Sequence, residues 1–414
     1  MQPENDIPAR LARYTVTRDA RELWPEVSAS AFRAAQREMV RVTARVLADA
    51  SSPVRLDLPS DADTRALGVA ASAAGMGPLL GFWCETGRVD AQQSVLDLLA
   101  RHLDHGRRRA ARLRHELERI LVPFADRGIE VLVLKGTDTA YRYFPEPGTR
   151  PSSDLDLLVA PHDVAAARSV LVNLGFAEEA GHGDRYRSTW SLPAVDGIRS
   201  LELAHADNPW SVDLHVSLDR EMFPDRPMTF GTPTPKPRDG EVWHEFSQPV
   251  RVLREPLLLA YLAAHTSSHF YAITLVRLVE LVLVARRDFA GDDWRTFADF
   301  VRRTRTGRFV FPALYLAERL APGTMDALAL EEVKAAAPWW LRTRVRATTP
   351  ASAQRLHPYP FAERFLWATS LKEVLVELAW PHDGDRRASP LGFLTLQWRR
   401  IHKRVLRFVR GRSP

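Results

Sequence analysis

Apolar and polar residues alternate with a period of two in a few short stretches of this chain and follow helical spacing over most of the rest. In Trp210–Leu218, Val212, Leu214, Val216 and Leu218 share one face of a strand, and Asp213, His215 and Ser217 share the other. Asp154–Val159 alternates from its first residue, with Leu155, Leu157 and Val159 directed one way and Asp154 and Asp156 the other. Ile129–Leu134 is apolar apart from Glu130, and Val131–Leu134 suits a buried strand. Tyr186–Leu192 and Leu201–Ala204 also read as strands. Between them, Thr137–Tyr143 reads as a short helix stopped by Pro145, Pro147 and Gly148, and Asp163–Leu174 as a helix ending at Gly175.

On either side of this α/β stretch the spacing is helical. Ala31–Ala48 and Val95–Leu121 have amphipathic periodicity, the latter with an arginine-dense face from Arg107 to Arg114. That face is read as solvated, with an acceptor- or phosphate-binding edge as the alternative. Gly75, Gly77, Pro78 and Gly81 break the region between the two helices. Beyond an irregular connection marked by Trp243, Val250 and Pro256, helices are expected over Pro256–Ala264, Val276–Arg287, Trp294–Arg303, Phe311–Leu320 and Phe361–Ala379, with 321–360 irregular in part. The expected fold is α+β: a small mixed β-sheet core over 121–250, flanked by an N-terminal helical region (1–120) and a C-terminal helical region (251–414).

Chemistry concentrates in the core. Asp154 and Asp156 project together from one strand face, an arrangement that needs a positive partner, and a divalent metal is the usual one. A strand beside this one would bring Asp213 to the pair; Glu202 is the alternative third acid. Three carboxylates can hold two Mg²⁺ roughly 3.5–4 Å apart and clamp the attacking and leaving oxygens of an in-line displacement. Lys135-Gly136, where a strand gives way to a helix, and Arg150 upstream of the acids supply what a polyphosphate needs. Arg150 either grips phosphate or ion-pairs with Asp154 or Asp156, and Ser152 and Ser153 either donate to phosphate or cap the turn. His215 shares a face with Asp213. His265 and His269, four apart on a helix, could bind zinc, but no glutamate follows His265 and no further ligand stands nearby, so they are read as possible cleft residues.

Leu134-Lys135-Gly136, the aromatic run Tyr141 to Pro145, Arg150 with Asp154, Asp156 and Leu157-Leu158-Val159, and Val212-Asp213-Leu214-His215 occur in this order. Together they resemble the DNA polymerase β-like nucleotidyltransferase superfamily, most closely a bacterial branch of nucleotidyltransferase-family proteins, over roughly residues 115–220 with a weaker echo to about 320. Many superfamily members carry Gly-Ser where this chain has Lys135-Gly136. The Lys-Gly form and Arg150, Ser152, Asp154 and Asp156 also resemble abortive-infection-type nucleotidyltransferase toxins. The resemblance implies transfer of a nucleoside monophosphate from a nucleoside triphosphate to an acceptor hydroxyl, with two Mg²⁺ held by Asp154, Asp156 and Asp213 and the phosphates cradled by Lys135, Gly136 and Arg150. A small-molecule or peptide acceptor is favoured; tRNA or protein is the toxin-like alternative. An inactive nucleotide-binding or interaction protein, and a phosphotransferase or nuclease using the same metals, are the other readings.

Composition sets the frame. The 414 residues suffice for two or three domains, and 45% hydrophobic and 26% charged residues are ordinary for a globular chain. One cysteine, Cys84, excludes an internal disulfide framework and fits a reducing compartment. The opening Met1–Asp6 is polar and acidic rather than a signal peptide, and the longest apolar runs, Leu253–Ala264 and Leu278–Ala285, are interrupted by charge, so a cytoplasmic location without a transmembrane segment is expected. The net charge of +6 is modest, but Trp398–Arg410 is a basic amphipathic helix candidate: either a solvated last helix or a contact for an anionic partner such as RNA or lipid. No P-loop and no Gly-x-Ser-x-Gly elbow occurs.

Overall fold

The computed structural model describes residues 6–17, 22–49, 51–58, 61–193, 197–201, 205–223, 226–231, 235–270, 272–354, 365–368, 370 and 372–374. The chain divides into two units, Met1–Trp367 and Ala368–Pro414. The first holds the sheet and the helices α1 to α14; in the second, residues 372–374 are helical. Glu202, the basic segment Trp398–Arg410 and most of the helix expected over Phe361–Ala379 lie outside the described residues.

The N-terminal part runs α1 (Ile7–Thr17), α2 (Ala29–Leu47), β1 (Val54–Leu56), α3 (Asp61–Ala74), α4 (Gly77–Glu85), β2 (Val89–Ala91) and the long α5 (Gln93–Asp126). Next come β3 (Val131–Val133), α6 (Lys135–Arg142), β4 (Asp154–Val159), α7 (Val164–Asn173), β5 (Ala177–Asp184), β6 (Arg187–Ser191), β7 (Ser211–His215), β8 (Arg220–Phe223), β9 (Arg226–Met228), β10 (Glu241–Trp243) and β11 (Val250–Val252). Helices close the unit: α8 (Leu257–Ser267), α9 (Leu275–Asp288), α10 (Asp293–Thr304), α11 (Gly307–Leu320), α12 (Ala327–Ala335), α13 (Trp339–Arg346) and α14 (Pro350–Ala353).

The fold is α+β. Seven strands form one mixed sheet in the order β10-β11-β3-β4-β7-β6-β5. β4 runs antiparallel to β3 and parallel to β7, and β11 runs parallel to β3. The sheet exceeds expectation because β10 and β11 come from the stretch read as an irregular connection. With three residues each, they are too short to show a period. The glycine-rich break is also narrower than expected: Gly75, at φ +68°, ends α3, but Gly77, Pro78 and Gly81 lie within α4. A Cβ on Gly81 would sit 2.3 Å from the Leu99 carbonyl oxygen, so its absence lets α4 lie directly on α5. Residues 321–360, expected to be irregular in part, carry α12, α13 and α14.

The two faces of the sheet meet different partners. Leu155, Leu157, Val159, Val212 and Leu214 pack with Leu117, Ile120, Leu121 and Phe124 of α5 and with Ala167, Val170 and Leu171 of α7. Burial of such a side chain stabilises by roughly 1.5–3 kcal/mol, which fixes which way β4 and β7 face. A larger core joins the N- and C-terminal helices, with Met39, Leu67, Leu80, Leu258, Leu281 and Phe311 in one cluster. α8 is apolar on every side and correspondingly buried. No single described helix is long and apolar enough to cross a membrane.

The arginine face of α5 is solvated in part, with Arg107 and Arg108 exposed, but Arg109 is turned inward. Arg107 bridges Glu85 and Glu146, and Arg114 pairs with Glu245. Arg109 is 1% exposed and donates to the backbone carbonyls of Ser152, Ser153, Asn208 and Pro209. One guanidinium thus ties together the loops that lead into β4 and β7. Burial pulls its pKa down to about 10.

Candidate active site

The parallel pairing of β4 and β7 sets Asp156 directly opposite Asp213, with Asp154 opposite Ser211. Asp154 and Asp156, two apart, share the sheet face directed away from α5 and α7. Asp156 and Asp213 are buried, and with His215 they offer ligand atoms that all lie within 4.8 Å of one another. Asp154 stands outside that tight group; its carboxylate accepts from the Ser152 hydroxyl at 3.3 Å.

Each acid has a partner within the chain. Lys135 Nζ lies 2.7 Å from Asp156 Oδ1, and His215 Nε2 lies 3.0 Å from the same oxygen. Asp213 accepts from Arg187 at 2.6 Å on one oxygen and from the Thr189 hydroxyl at 2.7 Å on the other. Burial opposes ionisation of Asp156, but Lys135 and His215 overcome it and hold its pKa well below the usual carboxylate range. Burial and the neighbouring charge of Asp156 push Asp154 upward. Burial also works against the Lys135 ammonium, yet Asp156 and Asp154 keep its pKa above the ordinary lysine value.

Lys135 begins α6 at φ +23°, an uncommon backbone angle for a side chain of this size. The turn is anchored by the Leu134 N–H, which donates to the Asp156 carbonyl at 2.9 Å. A Cβ on Gly136 would come within 2.7 Å of Ser152 Oγ and 3.2 Å of Arg150 Nη1, so glycine lets the Arg150–Ser153 loop close over the start of the helix. Ser152 acts as a turn cap, donating to the Asp154 carbonyl at 2.9 Å. Arg150 pairs with neither Asp154 nor Asp156. Its partner is Glu280 of α9, reached by Nε at 3.0 Å and by Nη2 at 3.3 Å, and Thr139 bonds the same carboxylate.

These groups line a cavity of about 150 Å³ bounded by Lys135, Gly136, Arg150, Ser152, Ser153, Asp154 and Asp156 on the core side and by His265 and Arg277 on the helical side. Beyond Lys135 and His265 a second space of about 30 Å³ is bordered by Arg187, His215, Arg220 and Tyr261. Asp213, closed off by Arg187 and Thr189, lines neither. His265 Nδ1 faces the Arg220 guanidinium, and the His265 and His269 rings meet edge-on with centroids 5.8 Å apart. Burial, reinforced by the surrounding cations Lys135, Arg277 and Arg220, drives the His265 pKa well below its ordinary value, and His269 falls to about 3. Both imidazoles are therefore neutral near pH 7.

Two carboxylates and an imidazole at this spacing suit a divalent cation. Each Asp213 oxygen keeps a lone-pair site beyond the one that Arg187 or Thr189 uses, so the donor set fits a metal that shares the acids with the cations already there. Sequence reasoning missed Arg187, Thr189, Glu280 and Arg277. The only available signal was polarity out of place: Arg277 and Glu280 interrupt the otherwise apolar first half of α9.

The acid-bearing strands, the Lys-Gly helix start and most of the cavity-facing helices fall within residues 60–322, the stretch matched by the model of a family described as "uncharacterised nucleotidyltransferase". No curated protein and no solved structure matches the chain. With well over half its length inside that match, the chain belongs to this nucleotidyltransferase family and is a transferase enzyme.

Proposed function

We propose that this nucleotidyltransferase moves a nucleoside monophosphate from a nucleoside triphosphate to the hydroxyl of a small molecule or peptide, with Mg²⁺ as the divalent metal. The observation that carries the reading is the register that sets Asp213 beside Asp156, with Asp154 on the same strand two residues away, at the edge of a cavity walled by cations. The same motif set supports placement in the polymerase β-like superfamily. Asp156 and Asp213 would hold the metal, with Asp154, two residues along the same strand face, completing the acid set. When bound, the metal neutralises charge on the reacting phosphate and lowers the pKa of the attacking hydroxyl.

The chain's own residues do the rest. Lys135 and the first N–H groups of α6 face the phosphates, and Arg150, held in place by Glu280, borders the same space. The cavity of about 150 Å³ is smaller than the roughly 300–1,000 Å³ of a pocket for a whole drug-sized ligand. It suits the triphosphate, with the nucleoside extending outward. The acceptor oxygen attacks the α-phosphorus, the bond to the bridging oxygen breaks, pyrophosphate departs, and the hydroxyl proton leaves to water. The narrow space beyond Lys135 admits no more than the hydroxyl-bearing group of an acceptor. Positioning and charge neutralisation carry most of the rate enhancement.

The test follows label from α- and γ-³²P nucleoside triphosphate into candidate acceptors in the presence of Mg²⁺. The α-label is expected on the acceptor and the γ-label in pyrophosphate. Asp154→Asn should reduce pyrophosphate release by at least about 100-fold while the melting temperature stays near wild type. γ-Label on the acceptor, or near wild-type turnover by the variant, overturns the reading.

A further inference from the structure

Three cations reach the main cavity, and two of them are already committed. Lys135 is paired with Asp156, and Arg150 with Glu280. The third, Arg277, is partly buried in the first turn of α9 and lines the cavity. Among the described residues, its guanidinium has no hydrogen-bond or ion-pair partner. Glu280, one turn further along α9, is turned to Arg150 and Thr139 instead. Burial, with Arg150 close by, pulls the Arg277 pKa below the ordinary arginine value. A guanidinium partly withdrawn from water and bonded to no anion is destabilising, and the nearby Glu280 and Asp154 carboxylates offset this only in part, so the folded chain carries an under-compensated charge at a place where a ligand can reach it.

We propose that Arg277 is the receptor for the outer phosphates of the nucleoside triphosphate: its planar fork takes the β- and γ-phosphate oxygens and retains the pyrophosphate as it leaves. This rests on the nucleotidyl-transfer reading and adds to it a residue from the C-terminal helices. Arg277 answers the ligand's charge, while Lys135 and Arg150 remain largely balanced by the protein. Binding of the outer phosphates then depends on a helix that contributes none of the acids.

Inorganic tripolyphosphate tests this without reference to base or acceptor. The full chain is titrated calorimetrically in Mg²⁺, and melting is recorded with and without the probe. Arg277→Gln is expected to leave the ligand-free melting temperature unchanged or higher, because an unpaired charge has been removed. It should weaken tripolyphosphate binding at least about 10-fold, in line with loss of a charged hydrogen-bond pair. Arg277→Lys should fall between the two. A ligand-free melting temperature that drops by several degrees marks a structural role and overturns the proposal. Equal tripolyphosphate affinity in Arg277→Gln and wild type overturns it while leaving nucleotidyl transfer standing. If the wild-type chain binds neither tripolyphosphate nor any nucleoside triphosphate, both fall together.

Discussion

The β4–β7 strand pair and the α8–α9 helix pair both face the cavity, but they place charge by different rules. On the strands, alternate positions are polar by construction, and the acids become significant only because register sets Asp156 beside Asp213. On the helices most positions are apolar and buried, so His265, Arg277 and Glu280 are exceptions that each require an electrostatic reason, while His269, expected on the same helix as His265, lies exposed in the turn beyond α8. Glu280 answers Arg150, and the two histidines stay neutral among cations. The strand side concentrates negative charge where a metal can collect it. The helix side balances Arg150 through Glu280 and leaves Arg277 unpaired at the cavity, where a ligand's charge can meet it.

Removing Glu280 should break this arrangement most severely. Glu280→Ala leaves Arg150 and Thr139 without their shared carboxylate in an almost fully buried position. Breaking a buried pair from one side typically destabilises by about 3–5 kcal/mol. Denaturant unfolding should show a loss of that size. The double variant with Arg150→Met should recover part of it, because the orphaned charge is then gone. A single-variant loss below about 1 kcal/mol would mean that the helix side does not balance the site, and the contrast between the two walls would fail.

The difference between the walls also explains what the chain revealed before folding. Asp154–Val159 was legible to the residue because a two-residue period sets its apolar side chains on one face and both acids on the other. The partnership of Asp213 followed from the same alternation. Glu280 could not be read this way: its helix was evident, but its partner lies 130 positions away. Arg109 was misread because helical periodicity finds a polar face without saying whether water or another element covers it; in this fold the β4 and β7 loops do. β10 and β11 escaped notice because their assignment rests on pairing with β3 rather than on their own pattern. Local period marks residues whose role is set by their own strand, and tertiary packing sets the rest.

Arg109 offers a way to sharpen the comparison, because it asks whether the strands keep their register unaided. Arg109→Met retains the bulk of the side chain but leaves four backbone carbonyls without their donor. Loss of charged hydrogen bonds, partly regained from water at loosened loops, suggests a destabilisation of about 2–4 kcal/mol. Arg109→Lys should recover only part of this, since a point charge cannot span both loops. Amide exchange read at Leu155–Leu157 and Val212–Leu214 should accelerate in the methionine variant. Unchanged protection there would show that β4 and β7 hold Asp156 beside Asp213 without α5, and the strand wall would then be autonomous.

The smallest effect concerns the helix side alone and appears only as a dependence on pH. Glu255, at the head of α8, accepts from the Leu259 N–H at 3.3 Å through one oxygen, and burial raises its pKa to about 8. The folded chain therefore keeps a proton that the unfolded chain releases near pH 4.5, so this group's contribution is fully present below that value and is lost as pH rises towards 8. Asp138, raised by burial to about 7, acts in the same sense. His265 and His269 act oppositely: below about pH 6.5 the unfolded chain binds protons that these imidazoles, set among Arg277, Arg220 and Lys135, refuse, so stability falls on acidification. Glu255→Gln mimics the protonated carboxyl at every pH. Its melting temperature should match wild type below about pH 4 and exceed it increasingly between about pH 4.5 and 8, levelling off above that, while the acid-side loss set by the histidines stays unchanged. A constant offset across that range would mean that Glu255 ionises on both sides of the folding equilibrium at the same pH, and that the head of α8 is open to water rather than part of the sealed helical wall.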